Sequence, residues 1–422
     1  MLLNIPKECN KMNTDLNIIR ELAKKYAEIA QSDICRMREN KYRKHNSLNI
    51  VRPIVLVFEE PWGEYLNTQD LKLYCEDAHL RNIEWNLRSD LFKWNHYQGD
   101  YILQPFFGVG YALSSTGTGL NLKENTIPSD TGSSIISHIY DDVIPDEAAV
   151  DGIKLPVITH DEKQSAKNLH WAEETFNGIL PVKFVGTTLY FASWDQIPRF
   201  HGVENSLCDL YDRPDFTHKL IEKFTRINEV TLDQYEALNV LETQPYYLHC
   251  TPALTDELPQ PDFDGVHVRA KDVWCRAMAQ IFGAVSPSMH DEFDLQYTKR
   301  FFDRCGLSYY GCCEPLDNKI DYLRQFKNLR RISITPWANV DRAAEAIHGD
   351  YVLSYKPNPA FVASEIFDPK PVQDEIKHVL SACKRTKTPC EFILKDISTV
   401  KNRPENLHKW MNTVNEVIDN YF

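Results

Sequence analysis

Hydrophobic residues recur along this chain at two spacings, and the changes between them mark out its elements. From about residue 15 to residue 44, Leu, Ile, Ala and Met return at helical intervals among charged residues, predicting one or two amphipathic helices ahead of the main fold. Residues 52–58 are a short apolar run of strand length, and 70–94 a long helical stretch rich in Leu and aromatic residues. Residues 101–111 and 180–194 are further strand candidates, and 213–241 is a helix introduced by Pro214-Asp215. Between 114 and 152, Ser, Thr, Gly, Asp and Pro crowd together with little periodicity, which predicts a long loop or lid.

Beyond residue 241 the alternation becomes regular. Strands are expected near 246–254, 285–295, 307–313, 331–336, 351–356 and 392–397, each followed by a helical pattern. A parallel barrel gives this cadence, with its site at the C-terminal ends of the strands. A doubly wound open sheet gives the same cadence, so the pattern leaves both open.

Composition narrows the function classes. With 43% hydrophobic and 25% charged residues in 422, the chain has ample material for a large core. A formal net charge of −13, with no extended Lys/Arg stripe, lacks the footprint of a nucleic-acid binder. The start of the chain lacks the pattern of a signal peptide and no long uncharged apolar segment occurs, so a soluble, cytoplasmic protein without a membrane partner is expected. Eleven cysteines, an odd number in a chain of this size, suit reduced thiols better than a disulfide scaffold. Cys75, Cys208 and Cys275 sit among helical-looking residues and read as small buried hydrophobes.

The expected strand ends carry the candidate chemistry. They hold His249-Cys250-Thr251-Pro252, Ser288 to Glu292, Tyr310-Gly311-Cys312-Cys313-Glu314, Thr335 to Asn339, Lys356-Pro357-Asn358-Pro359 and Lys395 to Thr399. Cys, His and Glu are ligands that zinc takes, and a bound zinc lowers a thiol's pKa, so Cys312, Cys313 and Glu292, with His290 nearby, are a candidate metal shell. Packing at a strand end is the plainer account of a Cys pair. His249 suits acid–base work or substrate positioning, whereas Asp256, in the run Thr255 to Pro259, suits helix capping. Lys356, on a proline-stiffened turn with Asn358, is placed to bind an anionic group of a ligand, or to pair internally with Glu314 or Asp396. Trp62, Phe106, Phe107 and Tyr111 wall a pocket or belong to the core.

The runs Tyr309 to Asp317, Val285-Ser286-Pro287 through Glu292-Phe293, Lys356 to Pro359 and Leu394 to Thr399 together resemble a bacterial branch of the uroporphyrinogen decarboxylase-like superfamily, over roughly residue 181 to the C-terminus. That branch is similar to the corrinoid-dependent methyltransferases, including those that O-demethylate methoxylated aromatics. The resemblance implies an α/β fold, a (β/α)8 TIM barrel over residues 51–422 with an N-terminal helical extension over 1–50. In the better-understood members a His-x-Cys and a late Cys hold zinc. Here the corresponding spot reads Tyr310-Gly311-Cys312, and the late Cys383 and Cys390 precede the final strand, which turns the ligand candidates toward Glu292, His290 and Cys313. The true decarboxylases carry an arginine-rich stretch after their first strand. This chain reads Phe58-Glu59-Glu60-Pro61-Trp62-Gly63-Glu64 there, which would repel a carboxylate-rich macrocycle.

The expectation is therefore a zinc-dependent methyltransferase moving a methyl group between a small methylated substrate, a methoxylated aromatic or methylamine-like molecule, and a separate corrinoid protein. Glu292, Cys312 and Cys313 form the metal shell, His249 and His290 are its neighbours or acid–base groups, Tyr310 donates to the substrate, and Lys356 and Asn358 bind cofactor. The chain has no Asp-x-His-x-x-Gly corrinoid signature, so the cobalamin arrives on a partner; a homodimer is compatible with the sequence. The rival readings are a metal-independent lyase of the same superfamily and a non-catalytic barrel that binds a corrinoid partner.

Overall fold

A computed structural model describes residues 7–65, 67–128 and 136–421. Helices α1 (Lys7–Ala30) and α2 (Asp33–Asn46) open the chain, close to the sequence expectation. The Ser32 side chain caps α2 by accepting from the Cys35 amide, and three basic residues in its last turn face the negative end of the helix dipole. Helix α3 (Ala78–His96) follows, capped by Asp77. Its buried Leu80, Ile83, Leu87 and Leu91 stripe packs against Ile19, Leu22, Ala23 and Tyr26 of α1.

The centre is a seven-stranded parallel sheet: β1 (Ile54–Val57), β2 (Leu189–Phe191), β3 (Trp274–Ala277), β4 (Leu307–Tyr310), β5 (Leu329–Ile334), β6 (Val352–Tyr355) and β7 (Cys390–Leu394). Their spatial order is β1-β7-β6-β5-β4-β3-β2, every pairing parallel. Both β1 and β7 are buried at every residue, as expected of strands covered on both faces. One face lies under helices including Val340–Ile347 and Pro369–Thr386. The other carries Trp274, Leu307 and Tyr309 beside Leu248 and Leu258, together with the buried polar residues Arg331, Ser354 and Glu391. The sheet is seen with seven strands, with β1 and β2 as its edges, and not as a closed eight-stranded ring.

Several expectations are corrected. The expected strand at 285–295 is helical from Pro287 on: Pro287–His290 is an α-turn, Asp291–Leu295 a π-helical turn, and Gln296–Phe302 continues it. Ser286 caps the start by accepting from the Met289 amide, and Pro287 sits at the first helical position, signals that outweigh the local apolar content. The strand of that unit is β3, upstream, whose four residues are too few to show a period; Cys275 lies in it, while Cys208 is an exposed helical residue. The expected strand at 246–254 is a two-residue hairpin, Tyr247–Leu248 with Thr251–Pro252, outside the main sheet. Of 101–111 only Phe107–Gly110 is extended, pairing with Val182–Val185, while β2 forms the second half of the 180–194 stretch.

The stretch 114–152 also carries more structure than a bare loop. Its described parts form a ribbon of Glu124–Pro128 with Ile136–Tyr140 and a short helix, Glu147–Gly152; the middle of the expected lid, 129–135, lies outside the described residues. The second helix reaches into the buried polar layer of the sheet. His45 and Asn46 of α2 are fully buried, and the Arg331 guanidinium donates to Asn46 Oδ1 at 2.6 and 2.9 Å and to Glu391 Oε2 at 2.6 Å. No described helix is long and apolar enough to cross a membrane.

Candidate functional site

The strands are parallel, so their C-terminal ends share one edge of the sheet, and chemistry gathers there. After β4 the chain turns at Gly311, whose φ of 97° and tight surroundings leave no room for a side chain: a Cβ would lie 2.5 Å from Leu316 Cδ1. The turn presents Cys312 and Cys313. Ser333 Oγ donates to the Cys312 carbonyl at 2.8 Å, and the buried Glu314 carboxylate accepts from the amides of Cys312 (2.9 Å) and Ala279 (3.2 Å), tying the ends of β3 and β4 together.

Three further residues close on the thiols, and each has left-handed backbone: Glu59 after β1 (φ 58°), Asp396 after β7 (φ 57°) and His249 at the hairpin turn (φ 58°). Such conformations cost energy in non-glycine residues and concentrate where geometry matters for function. The Asp396 amide donates to Glu59 Oε2 at 3.1 Å, and His249 Nε2 lies 4.0 Å from both Glu59 Oε1 and Cys312 Sγ.

Lys395, only 2% exposed, is the cation of the cluster. Its Nζ is 3.1 Å from Cys312 Sγ, 3.6 Å from Cys313 Sγ and 2.9 Å from Asp396 Oδ2. The two sulfurs are 3.4 Å apart, and Cys313 Sγ is 3.3 Å from Asp396 Oδ2.

The pair carries one negative charge, on Cys312. A hydrogen bond from Cys313, helped by His249 and Lys395 and opposed by burial, pulls the Cys312 thiol down to about 4. Cys313, hydrogen-bonded to that sulfur and also buried, holds its proton far more tightly than a free thiol. Burial disfavours the Lys395 ammonium, but the Cys312 thiolate outweighs it, with help from Cys250, Asp396 and Cys313, and the lysine holds its proton more tightly than a free one. Burial and the same thiolate push Glu314 up to about 7.

The structure thus brings together His249, Cys312 and Cys313 from the sequence candidates and separates the others. His290 and Tyr310 face the helical layer: Tyr310 Oη donates to Asp294 Oδ2 at 2.6 Å and lies 2.6 Å from His290 Nε2, all three buried. Burial lowers the His290 pKa, so its ring is neutral. Glu292 points outward, half-exposed, 3.3 Å from His218 Nε2. Lys356 donates to Ser354 Oγ at 2.5 Å, which in turn donates to Glu391, and Asn358 caps the turn that follows by accepting from the Ala360 amide. Lys395, Asp396 and Glu59 complete the cluster. The first two stand at an expected strand end, so their position was legible although their role was not.

His249, Cys312 and Cys313 are donors that zinc takes. They do not fit a resident zinc as they stand, because the Lys395 ammonium already lies within bonding distance of both sulfurs and would repel a dication held by them. Among the described residues no group of three or more His, Cys, Asp or Glu is arranged to hold a metal ion. Glu292 pairs with His218 instead.

No protein-family model matches the chain, and no curated protein matches it. Among solved structures it is similar to a methyltransferase from Methanosarcina mazei, at 9% identity over 91% of this chain and 98% of that one, with a TM-score of 0.48.

Proposed function

We propose that this chain is a methyltransferase of the uroporphyrinogen decarboxylase-like superfamily in which the Cys312 thiolate attacks the methyl carbon of a small methylated substrate, a methoxylated aromatic or a methylamine. The observation that carries the reading is the buried thiolate itself, 3.1 Å from Lys395 at the C-terminal edge of a parallel sheet. A thiolate kept at neutral pH and largely stripped of water is the form of cysteine competent for this displacement. The S–CH3 bond forms as the bond from methyl to oxygen or nitrogen breaks, and the electron pair leaves with that heteroatom. His249, 4.0 Å from Cys312 Sγ, gives the leaving heteroatom its proton, and Glu59 takes part in holding the ring. Lys395 holds the thiolate in place and Cys313 donates to it.

Turnover needs a second acceptor for the methyl group. A corrinoid on a separate protein would supply it, approaching past the rim formed by the half-exposed Asp396 and Glu59. We take the gap between β1 and β2 to be closed by the residues around Tyr101, whose Oη donates to the Val57 carbonyl at 2.8 Å, which makes the sheet a barrel with the thiolate at its mouth.

The test is to incubate the purified protein with isotopically methyl-labelled methoxyarenes and methylamines and to map the label by peptide mass analysis. Label on the Cys312 peptide, absent in Cys312→Ala, is the expected result, and label absent under all donors removes the reading. Elemental analysis of the same protein should find zinc well below stoichiometry. Stoichiometric zinc that disappears with Cys312→Ala would mean that Lys395 yields its place to a metal.

A further inference from the structure

Beside the thiolate stands a cation with no anion. Arg276 is on β3, in register between Tyr190 of β2 and Tyr309 of β4. Its guanidinium stacks on the Tyr190 ring at 3.9 Å and is partly exposed. Among the described residues no carboxylate pairs with it and no hydrogen bond engages it, although the chain carries a net charge of −13. The nearest acid to that ring, Asp195, is committed elsewhere: it accepts from Tyr190 Oη at 3.0 Å and from Gln280 Nε2 at 2.8 Å. Tyr190 in turn packs with Cys313 against the small cluster of Cys312, Met278 and Ala192, so the stacked arginine and the thiolate share one wall.

We propose that Arg276 is the receptor for a carboxylate on the methyl donor, so that the substrate class is a small methylated acid and not a neutral ether or free amine. The inference rests on Cys312 being the reacting thiolate. Stacking uses the face of the guanidinium and leaves its edge N–H groups free, the geometry that grips a carboxylate with two parallel hydrogen bonds. The Tyr190 ring, itself held by Asp195, fixes the direction of that fork. A carboxylate seated there supplies the counter-charge that Arg276 lacks among the described residues. Lys395 is already occupied by the thiolate and Asp396 and does not compete for it.

The test uses simple alkylating agents in place of the unknown substrate. Haloacetate and longer ω-haloalkanoates are each paired with the corresponding amide, and the rate of Cys312 alkylation is followed by mass analysis in wild type, Arg276→Gln and Arg276→Lys. In each reaction the thiolate forms a C–S bond and halide leaves with the electron pair. At one chain length the acid should outrun its amide in wild type, and the acid-to-amide ratio should drop about tenfold in Arg276→Gln, the scale of one lost charge-assisted contact. Arg276→Lys keeps the charge without the fork and should fall between. A ratio unchanged in both variants at every chain length overturns the proposal. If Arg276→Gln slows both reagents through a disturbed site, the Arg276→Lys ratio decides: a lowered ratio supports the proposal and an unchanged one overturns it. Absence of methyl label on Cys312, with the ratio still dependent on Arg276, removes the methyl-transfer reading and leaves the carboxylate site standing.

Discussion

Replacing Lys395 by Met should uncover how much of the Cys312 thiolate depends on one ammonium. The two groups are 3.1 Å apart and both are buried, Cys312 at 4% exposure. At an effective dielectric of about 20, their attraction is about 5 kcal/mol, or roughly 4 units of thiol pKa. Water and the remaining donors, Cys313 and His249, recover part of that loss, so a rise of about 2 units is expected. The sign follows from the charges: removing a cation disfavours the anion, so the thiolate appears only at higher pH. The measurement is the second-order rate of iodoacetamide with Cys312 across the acid range, in Lys395→Met and in the charge-preserving Lys395→Arg. Wild type should stay reactive until the pH approaches its low inflection at about 4. Lys395→Met should lose reactivity from about pH 6 downward, and Lys395→Arg should follow wild type more closely. An inflection that does not move in Lys395→Met would refute the ion-pair account and leave Cys313 and His249 as the sources of the depressed pKa.

Two further outcomes separate site from scaffold. Tyr310→Phe removes a buried hydroxyl that bonds both Asp294 and His290; urea denaturation should show a loss of about 1–3 kcal/mol while Cys312 alkylation keeps its wild-type rate. A large fall in alkylation at unchanged stability would return Tyr310 to the chemistry. Arg331→Met leaves the Glu391 carboxylate buried and unpaired, and thermal or urea unfolding should register a loss of about 3–5 kcal/mol; a variant as stable as wild type would show that His45 and Asn46 do not depend on the ion pair.

The first helices, the helix at 213–241 and most of the parallel strands were legible because each is long or apolar enough to show its period, as in α3, β5 and β7, whereas the helices Glu162–Phe176, Ser193–His201 and Val203–Asp212 were not read. The misreadings share a physical cause. At 285–295 the apolar residues are compatible with a strand, and only the Ser286-Pro287 start and a π-helical turn declare a helix. β3 spans four residues of mixed character, and missing it hid Arg276 as well. Cys312, Cys313 and His249 were legible as chemistry-bearing residues near strand ends. Their partners were not, because the contact between Lys395 and Cys312 joins residues 83 apart and depends on strand order, which no local pattern carries. Tyr310 misled because adjacent residues of a strand point to opposite faces: Tyr309 lies on the face with Trp274 and Leu248, while Tyr310 serves the helical layer.

The ties of α2 to β5 and β7 bear on how the chain assembles. His45 Nε2 lies 3.1 Å from the Cys390 carbonyl, 345 residues later, and Asn46 meets Arg331 across 285 residues. During synthesis α1 and α2 emerge hundreds of residues before the groups that neutralise their buried polar ends. Until β7 arrives, Arg331 has no carboxylate, β1 has no neighbour on its β7 side, and apolar strand edges stay open to other chains. Such high contact order predicts slow, late cooperative closure in place of stepwise growth, and a fragment ending before residue 390 should collect as aggregate, not as a smaller folded protein.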